Sequence, residues 1–252
     1  MSSIWIQTGA AFNRIAQQYD ESWTRSTAGR LQRDAVWRYL DLLFQPCSRL
    51  LDLGCGTGED PVHFMQAGMS VTAIDASEEM VSIARARGVE ASVLGIEDLD
   101  RIQGRFDGAI SNFGAFNCIS QIDSTARALA NLIRPGGYLA ICVFGRRCIW
   151  EVAWYLLHGD PRRAFRRMRP PAISSSLGIP VHPHSIRELK RTFAPDFKLI
   201  DWRGIGLLVP PSYVTGTPDS VLRKFEKIDR NIAHRPILRA FADHLLAIFE
   251  RR

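Results

Sequence analysis

The sequence predicts an α/β protein built on a doubly wound, mainly parallel sheet, and three observations predict it. Short apolar runs alternate with helical patterns between residues 49 and 144. The connections are short, which calls for parallel strands with helices on both faces. The first apolar run, with Asp52 embedded in it, passes straight into Gly54-Cys55-Gly56-Thr57-Gly58. Such strand-loop-helix corners receive nucleotide-like cofactors, because glycine lets backbone N–H groups approach a ligand closely.

Each element follows from local pattern. Residues 11–20 and 29–44 read as helices; in the second, Leu31, Val36, Leu40 and Leu43, with Ala35 and Tyr39, approximate a 3.6-residue stripe. Residues 49–53 form a strand and 58–67 a helix, with Pro61 early, where a missing N–H costs little. A second strand covers 70–74. Ser77 caps the next helix, Glu78 and Glu79 favour its first turn, and it stops before Gly88. Strands follow at 89–94 and 106–111, then a helix at 120–133 closed by Arg134-Pro135-Gly136-Gly137, then a fifth strand at 138–144. After Gly145 the alternation breaks. Residues 148–168 read as an aromatic and basic helical insertion, interrupted near Gly159-Asp160-Pro161, and a loop with Pro170, Pro171, Pro180 and Pro183 follows. Residues 185–193 form a short helix, 197–209 supply a strand, and 218–242 are largely helical. Residues 244–249 fit a buried strand or a helix end equally well by periodicity.

Composition bounds the partners. The 252 residues, 46% hydrophobic and 23% charged, suit one globular domain with additions. The net charge is +6, and residues 145–169 hold seven arginines against Glu151 and Asp160. The excess is therefore one local basic feature rather than a diffuse nucleic-acid surface. No apolar run reaches the roughly 18 residues of a membrane span, and residues 1–11 lack the pattern of a secretory signal. Five cysteines in no C-x-x-C pair imply reduced thiols and a cytoplasmic location. His182-Pro183-His184 is too little for a metal centre, so none is expected.

The glycine spacing is G-x-G-x-G, not the G-x-G-x-x-G of dinucleotide binders, and Asp52 sits in the strand end. This combination resembles motif I of the class I S-adenosylmethionine-dependent methyltransferases of small-molecule type. The resemblance covers residues 12–144 closely and the remainder loosely. It implies a Rossmann-like sheet of seven strands, with an antiparallel seventh inserted between the fifth and sixth and helical insertions after strands five and six. Residues 244–249 then become that seventh strand. It further implies a single domain over 1–252: cofactor-covering helices at 1–45, a cofactor-binding core at 46–145, a lid-like insertion at 146–184, and a C-terminal sheet edge at 185–252 with a helical insertion at 218–242. The activity implied is methyl transfer from S-adenosyl-L-methionine to a small-molecule acceptor.

The resemblance places Gly54, Cys55 and Gly56 around the methionine portion of the cofactor, with Asp52 near its amino group or capping the loop. Asp75, seventeen residues beyond Gly58, can accept from two vicinal ribose hydroxyls because a carboxylate is acceptor-only. NAD enzymes share that device, so Asp75 alone does not choose the cofactor. Ala76 and Met80 fall against the adenine, Met80 serving equally as helix packing. Gly95 stands where family members often carry an acid; Asp98, or no side chain, meets the adenine amino group instead, with Ile96 and Glu97 offering backbone contacts. Asn112 and Phe113 follow the fourth strand beside the methyl group, and Tyr19 lies over the cofactor. No Asn-Pro-Pro-Tyr signature is present, which argues against adenine-N6 or glutamine-type methylation.

On the acceptor side the candidates are Phe116, Trp150, Trp154 and His158, with Trp150, Trp154 and Leu157 facing inward from a lid and its arginines outward. Three readings of the basic segment stand: a solvated amphipathic lid, a lid that also touches an anionic membrane and serves a lipid-like or quinone-like acceptor, and an RNA contact. His158, His182 and His184 are candidate bases, none assigned a catalytic role. The acceptor atom, O, N or C, and the oligomeric state stay open. Two other classes compete: a cofactor-binding scaffold, against which Asp52, the glycines and Asp75 argue, and an NAD(P) oxidoreductase, against which the glycine spacing argues.

Overall fold

The structure is a computed structural model, and it describes residues 4–169, 171–173 and 177–252. Helices α1 (Ile4–Asn13) and α2 (Ala16–Tyr19) lead through a π-helical turn, Asp20–Thr24, into α3 (Thr27–Leu43). Ser26 caps α3, its hydroxyl accepting from Gly29 N at 3.0 Å. Then come β1 (Arg49–Leu53), α4 (Glu59–Gln66), β2 (Ser70–Asp75), α5 (Glu78–Ala86), β3 (Glu90–Val93), β4 (Phe106–Ser111), α6 (Ile122–Leu132) and β5 (Ile133–Phe144). The insertion supplies α7 (Ile149–Leu157), α8 (Pro161–Ala164) and a small ladder of β6 (Ala172–Ile173) with β7 (Pro180–Val181). The chain closes with α9 (Ile186–Phe193), β8 (Phe197–Ile205), α10 (Asp219–Ile232) and β9 (His244–Arg251).

The sheet order is β3-β2-β1-β4-β5-β9-β8, with β9 antiparallel to both of its neighbours and the rest parallel. The ambiguous terminal run is therefore a strand. It lies between β5 and β8 with both faces covered, which is why its first six residues are all buried and show no alternation. Along β1, Leu51 and Leu53 join one core cluster with Phe106, Ile141 and Phe249, while Leu50 joins the opposite cluster with Val36, Leu40 and Phe64. The strand's period of two thus splits its leucines between two cores, each burial stabilising by about 1.5–3 kcal/mol. Ser77 caps α5 as its position predicts, accepting from Met80 N at 3.1 Å. Among the described residues no helix is long and apolar enough to cross a membrane.

Three local readings change. Helix α1 begins at Ile4, well ahead of residue 11, and the chain breaks after Asn13 before α2. Residues 134–137 fall within β5 as an irregular stretch, because the pairing with β4 shifts register between Phe106 and Gly108. The insertion keeps its expected facing only in part: Trp150 and Trp154 are half-buried and Arg162 and Arg163 exposed, but other side chains turn the other way. Leu157 is 85% exposed and Ile149, Leu156 and Phe165 are exposed too, whereas Arg166 and Arg167 turn inward. The cause is Glu151, a carboxylate only 1% exposed on the inner side of α7. A buried anion must be paired, so the two arginines follow it inside and the leucines are left outside.

Candidate active site

Strands β1, β2 and β4 end together at one edge of the sheet, and their loops border a cavity that opens to solvent. The first loop is held down by its own backbone: Gly54 N and Cys55 N donate to Ile74 O at 2.8 and 3.0 Å. Gly54 and Gly56 take φ values of +81° and +54°, where other residues are strained. A Cβ on Gly54 would stand 2.3 Å from the Cβ of Ala115, whereas one on Gly56 would meet no atom within 4 Å. Gly54 is thus required by packing, and Gly56 keeps a wall of the cavity clear.

Asp75 at the end of β2 ties this loop to the next. Its Oδ2 accepts from Gly56 N and its Oδ1 from Ser77 N, both at 2.8 Å. Burial pushes its pKa up, and the backbone bonds pull the other way. Each oxygen keeps a second lone pair for a donor in the cavity that Asp75 lines. Ala76, Met80, Ile96 and Glu97 line the same cavity, as does Tyr19, whose phenol burial pushes up to about 12. Asn112 lines it too, 7% exposed, with neither amide atom hydrogen-bonded among the described residues. Buried polar atoms left in that state mark a place for a polar ligand. Phe113, next in sequence, holds φ at +56°, a strained value for a non-glycine residue.

Asp52, Cys55 and Asp98 lie outside the lining. Asp52 is 1% exposed with Oδ2 unpartnered; burial and the neighbouring Asp60 push its pKa well above the usual range. Asp60 itself is held by Arg33 Nη1 and Trp37 Nε1, each at 2.6 Å. Burial pushes the Cys55 thiol well up, which makes it a packing residue rather than a nucleophile. Asp98 Oδ2 accepts from Trp5 Nε1 at 3.0 Å, so it is engaged by α1. Trp5, which the sequence did not flag, lines the cavity and covers Gly95 closely.

A second cavity, also open to solvent, is lined by Trp23, Phe144, Arg166, Ile173, Tyr213 and His244 among others. Phe113 joins the two: it lines the first, and its ring lies 4.6 Å from that of Trp23 and 5.2 Å from that of His244. His244 opens β9 opposite Phe144 in β5 and stacks on it at 4.6 Å. Because β9 runs antiparallel, its first residue lands at the edge where the parallel strands end. The ring is 2% exposed, and neither nitrogen has a hydrogen-bond partner among the described residues. Burial pushes it down to about 4, so it is neutral. Behind the cavity Glu151 accepts from Arg166 Nε at 3.0 Å, Arg167 Nε at 2.9 Å and the Tyr213 hydroxyl at 2.8 Å. Arg167 Nη2 also donates to Asp243 Oδ1 at 2.9 Å.

The predicted acceptor residues lie elsewhere. Phe116 is in the core, its ring 6.3 Å from Phe193. Trp150 Nε1 donates to Leu208 O at 3.0 Å, and Trp154 packs 4.3 Å from the exposed His158. None of the four lines either cavity. Trp23, Tyr213 and His244 line the second cavity instead. A histidine at the start of an apolar terminal run was a visible signal for the last of them, but only once the run was placed as an antiparallel strand. No group of three or more His, Cys, Asp or Glu side chains among the described residues is arranged for a metal.

Residues 50–137 match the model of a methyltransferase domain. The chain is 32% identical over 206 residues to malonyl-[acyl-carrier protein] O-methyltransferase of Pectobacterium atrosepticum, a match covering 78% of this chain and 77% of that one. It is 37% identical over 109 residues to ubiquinone biosynthesis O-methyltransferase of Xanthomonas oryzae pv. oryzae, covering 39% of this chain and 44% of the relative. Its fold is that of an S-adenosylmethionine-dependent methyltransferase from Mesorhizobium loti, with a TM-score of 0.60 at 20% identity over 86% of this chain and 97% of the other. A clear Gly56 wall, the Asp75 carboxylate, the unpartnered Asn112 amide and apolar flanks at Met80 and Ile96 fit a cofactor that joins an adenosine to an amino acid. The chain is an enzyme that uses S-adenosyl-L-methionine, and it belongs to the class I S-adenosylmethionine-dependent methyltransferase family.

Proposed function

We propose that the chain methylates an apolar small molecule of lipid-like or quinone-like kind, with the cofactor in the first cavity and the acceptor in the second. The observation that carries this is Phe113, which lines the first cavity and packs its ring against Trp23 and His244 of the second. Relatives named for ubiquinone and for malonyl-[acyl-carrier protein] support an acceptor of this class. In this reading Asp75 accepts from the ribose hydroxyls, and Ala76, Met80, Ile96 and Glu97 border the adenine. The Gly54–Cys55–Gly56 loop and Asn112 hold the amino-acid end, backed by the buried side chains of Asp52 and Arg33. Tyr19 and Trp5 cover the ligand.

The cofactor supplies an electrophilic methyl on sulfonium. What the chain adds is orientation and exclusion of water, effects worth up to about 7–11 kcal/mol when both reactants are held in line. The domain division drawn from the sequence serves this reading, with one change: residues 146–184 wall the second cavity through Arg166, Arg167 and Ile173 rather than through Trp150 and Trp154. Transfer of labelled methyl from S-adenosylmethionine to a panel of demethylated quinols and acyl thioesters tests the acceptor class, and calorimetry with S-adenosylhomocysteine against NAD tests the first cavity. Labelling of neither acceptor type would overturn the reading.

A specific observation favours contact with an anionic membrane as well. Ile149, Leu156, Leu157, Phe165 and Met168 are exposed, as are Arg162 and Arg163 of the same insertion. An apolar face flanked by cations suits the headgroup boundary, and an enzyme there meets lipid-like acceptors where they dissolve.

A further inference from the structure

We infer that His244 accepts the proton of a neutral hydroxyl acceptor, so that the second cavity is built for O-methylation of a phenol-like or enol-like group. This rests on the reading of the second cavity as the acceptor site. The argument begins with what the cavity has left to offer. Arg166 and Arg167 are bound to Glu151, and Arg167 also to Asp243. The Tyr213 hydroxyl is given to Glu151. Among the described residues the two cations are matched by two carboxylates, so a carboxylate acceptor finds no spare cation there and an ammonium acceptor no spare anion. The remaining described lining, Trp23, Phe144, Ala172, Val181 and Pro211 included, is apolar apart from the Ser212 hydroxyl, which carries no charge and is a far weaker base than an imidazole.

His244 is the exception. Both its nitrogens are buried without a hydrogen-bond partner among the described residues, a costly arrangement unless a ligand completes it. Nδ1 lies 3.4 Å from Asp243 Oδ2, which leaves Nε2 for the acceptor. The groups that bear on the ring's charge are Asp243 beside it in the chain, and Arg167 with its partners Glu151 and Tyr213 from the insertion and the loop before α10. Phe144 and Phe113 enclose it from β5 and from the loop after β4. Its neutral state lets it accept, and a hydroxyl is a donor that suits an unpaired imidazole nitrogen.

The step balances. As the acceptor oxygen bonds to the methyl carbon, the S–CH3 bond breaks and its electron pair returns to sulfur. The hydroxyl proton passes to His244 Nε2, and the imidazolium is paired with Asp243. The products are a methyl ether and S-adenosylhomocysteine, and the proton leaves to solvent when the cavity opens.

The test uses 4-octylphenol as probe. With the enzyme saturated with S-adenosylhomocysteine, 4-octylphenol should bind at least tenfold more tightly than its methyl ether or than octanoate. His244→Phe should abolish that preference, and His244→Gln, whose amide oxygen accepts a hydrogen bond but not a proton, should keep it. Methyl transfer to 4-octylphenol should fall at least a hundredfold in both variants, with the affinity for S-adenosylhomocysteine unchanged. Equal binding of phenol and ether by the wild type, which needs no variant to fold, would overturn the proposal. So would a His244→Gln enzyme that keeps its rate. Loss of S-adenosylhomocysteine binding in the wild type would instead overturn the reading of the first cavity.

Discussion

The indole of Trp5 occupies the space over Gly95: a Cβ added there would stand 2.2 Å from Trp5 Cγ, and Trp5 Nε1 donates to Asp98. Glycine at 95 is therefore a requirement of Trp5, and the missing acid of the third motif is exchanged for an aromatic wall. Gly95→Asp should force Trp5 aside, destabilise the fold by about 1–3 kcal/mol and weaken S-adenosylhomocysteine binding roughly tenfold. Gly95→Asp combined with Trp5→Ala should recover part of that stability. A double variant less stable than Gly95→Asp alone would show that the indole is not the obstacle.

Asp75 joins Gly56 and Ser77 through its two oxygens. Asp75→Asn keeps the shape but sets an NH2 against one of those N–H donors. Charged hydrogen bonds are worth about 1.5–3 kcal/mol each, so calorimetry should show affinity for S-adenosylhomocysteine falling roughly tenfold to a hundredfold. A folded variant with wild-type affinity would remove Asp75 from the ribose site. Gly56→Val, whose side chain would enter the clear space beside Gly56, should abolish binding outright.

Acid should weaken the protein in a defined window. Burial lowers His244 from 6.5 to about 4. The unfolded chain takes up that proton below 6.5 while the folded one does not, so the contribution is complete above pH 6.5 and is lost on the way down to 4. It amounts to roughly 3 kcal/mol. His184, also lowered, acts with the same sign. Glu151, lowered by Arg167, and Asp243, lowered by the charge of His244 and then by Arg167, lose their contribution only at still more acid pH. Asp52 and Asp75, raised by burial, oppose the trend. The quantity to read is the difference between wild type and His244→Phe in urea unfolding at pH 7, 5.5 and 4.5, which should shrink as pH falls.

The arginines of the insertion divide into two kinds. Arg167→Met leaves Asp243 buried without its arginine and Glu151 with Arg166 alone, and should cost about 3–5 kcal/mol by denaturant titration. Arg162→Gln and Arg163→Gln, on the exposed side, should change stability by no more than about 0.5 kcal/mol.

Those two exposed substitutions should instead weaken adsorption to anionic vesicles, by about 1 kcal/mol per charge at low salt, with cofactor affinity untouched. Leu157→Asp should weaken it at any salt. Wild-type protein that ignores acidic vesicles at low ionic strength would rule the membrane contact out.

Much of the fold was legible because its signals are local. The alternation of apolar runs and helical stripes marks β1 to β5, the glycines with Asp52 mark the first loop, and Ser77 followed by two acids marks the start of α5. Each depends on residues within one turn or one strand, where backbone sterics and capping act. The first cavity was legible for the same reason, since Asp75, Asn112 and Phe113 sit at the ends of predicted strands.

Tertiary structure alone decided the second cavity. Phe144 and His244 are register partners one hundred positions apart, and Trp5 reaches Asp98 across ninety-three. No periodicity encodes such pairings. The insertion shows the limit most plainly, because its sequence is amphipathic whichever side is buried. Burial of the single carboxylate of Glu151 sets which side it is, drawing Arg166 and Arg167 inward and leaving Leu157 in solvent. Desolvating an unpaired anion costs more than exposing a few leucines, and that balance is settled only when the insertion meets the rest of the chain.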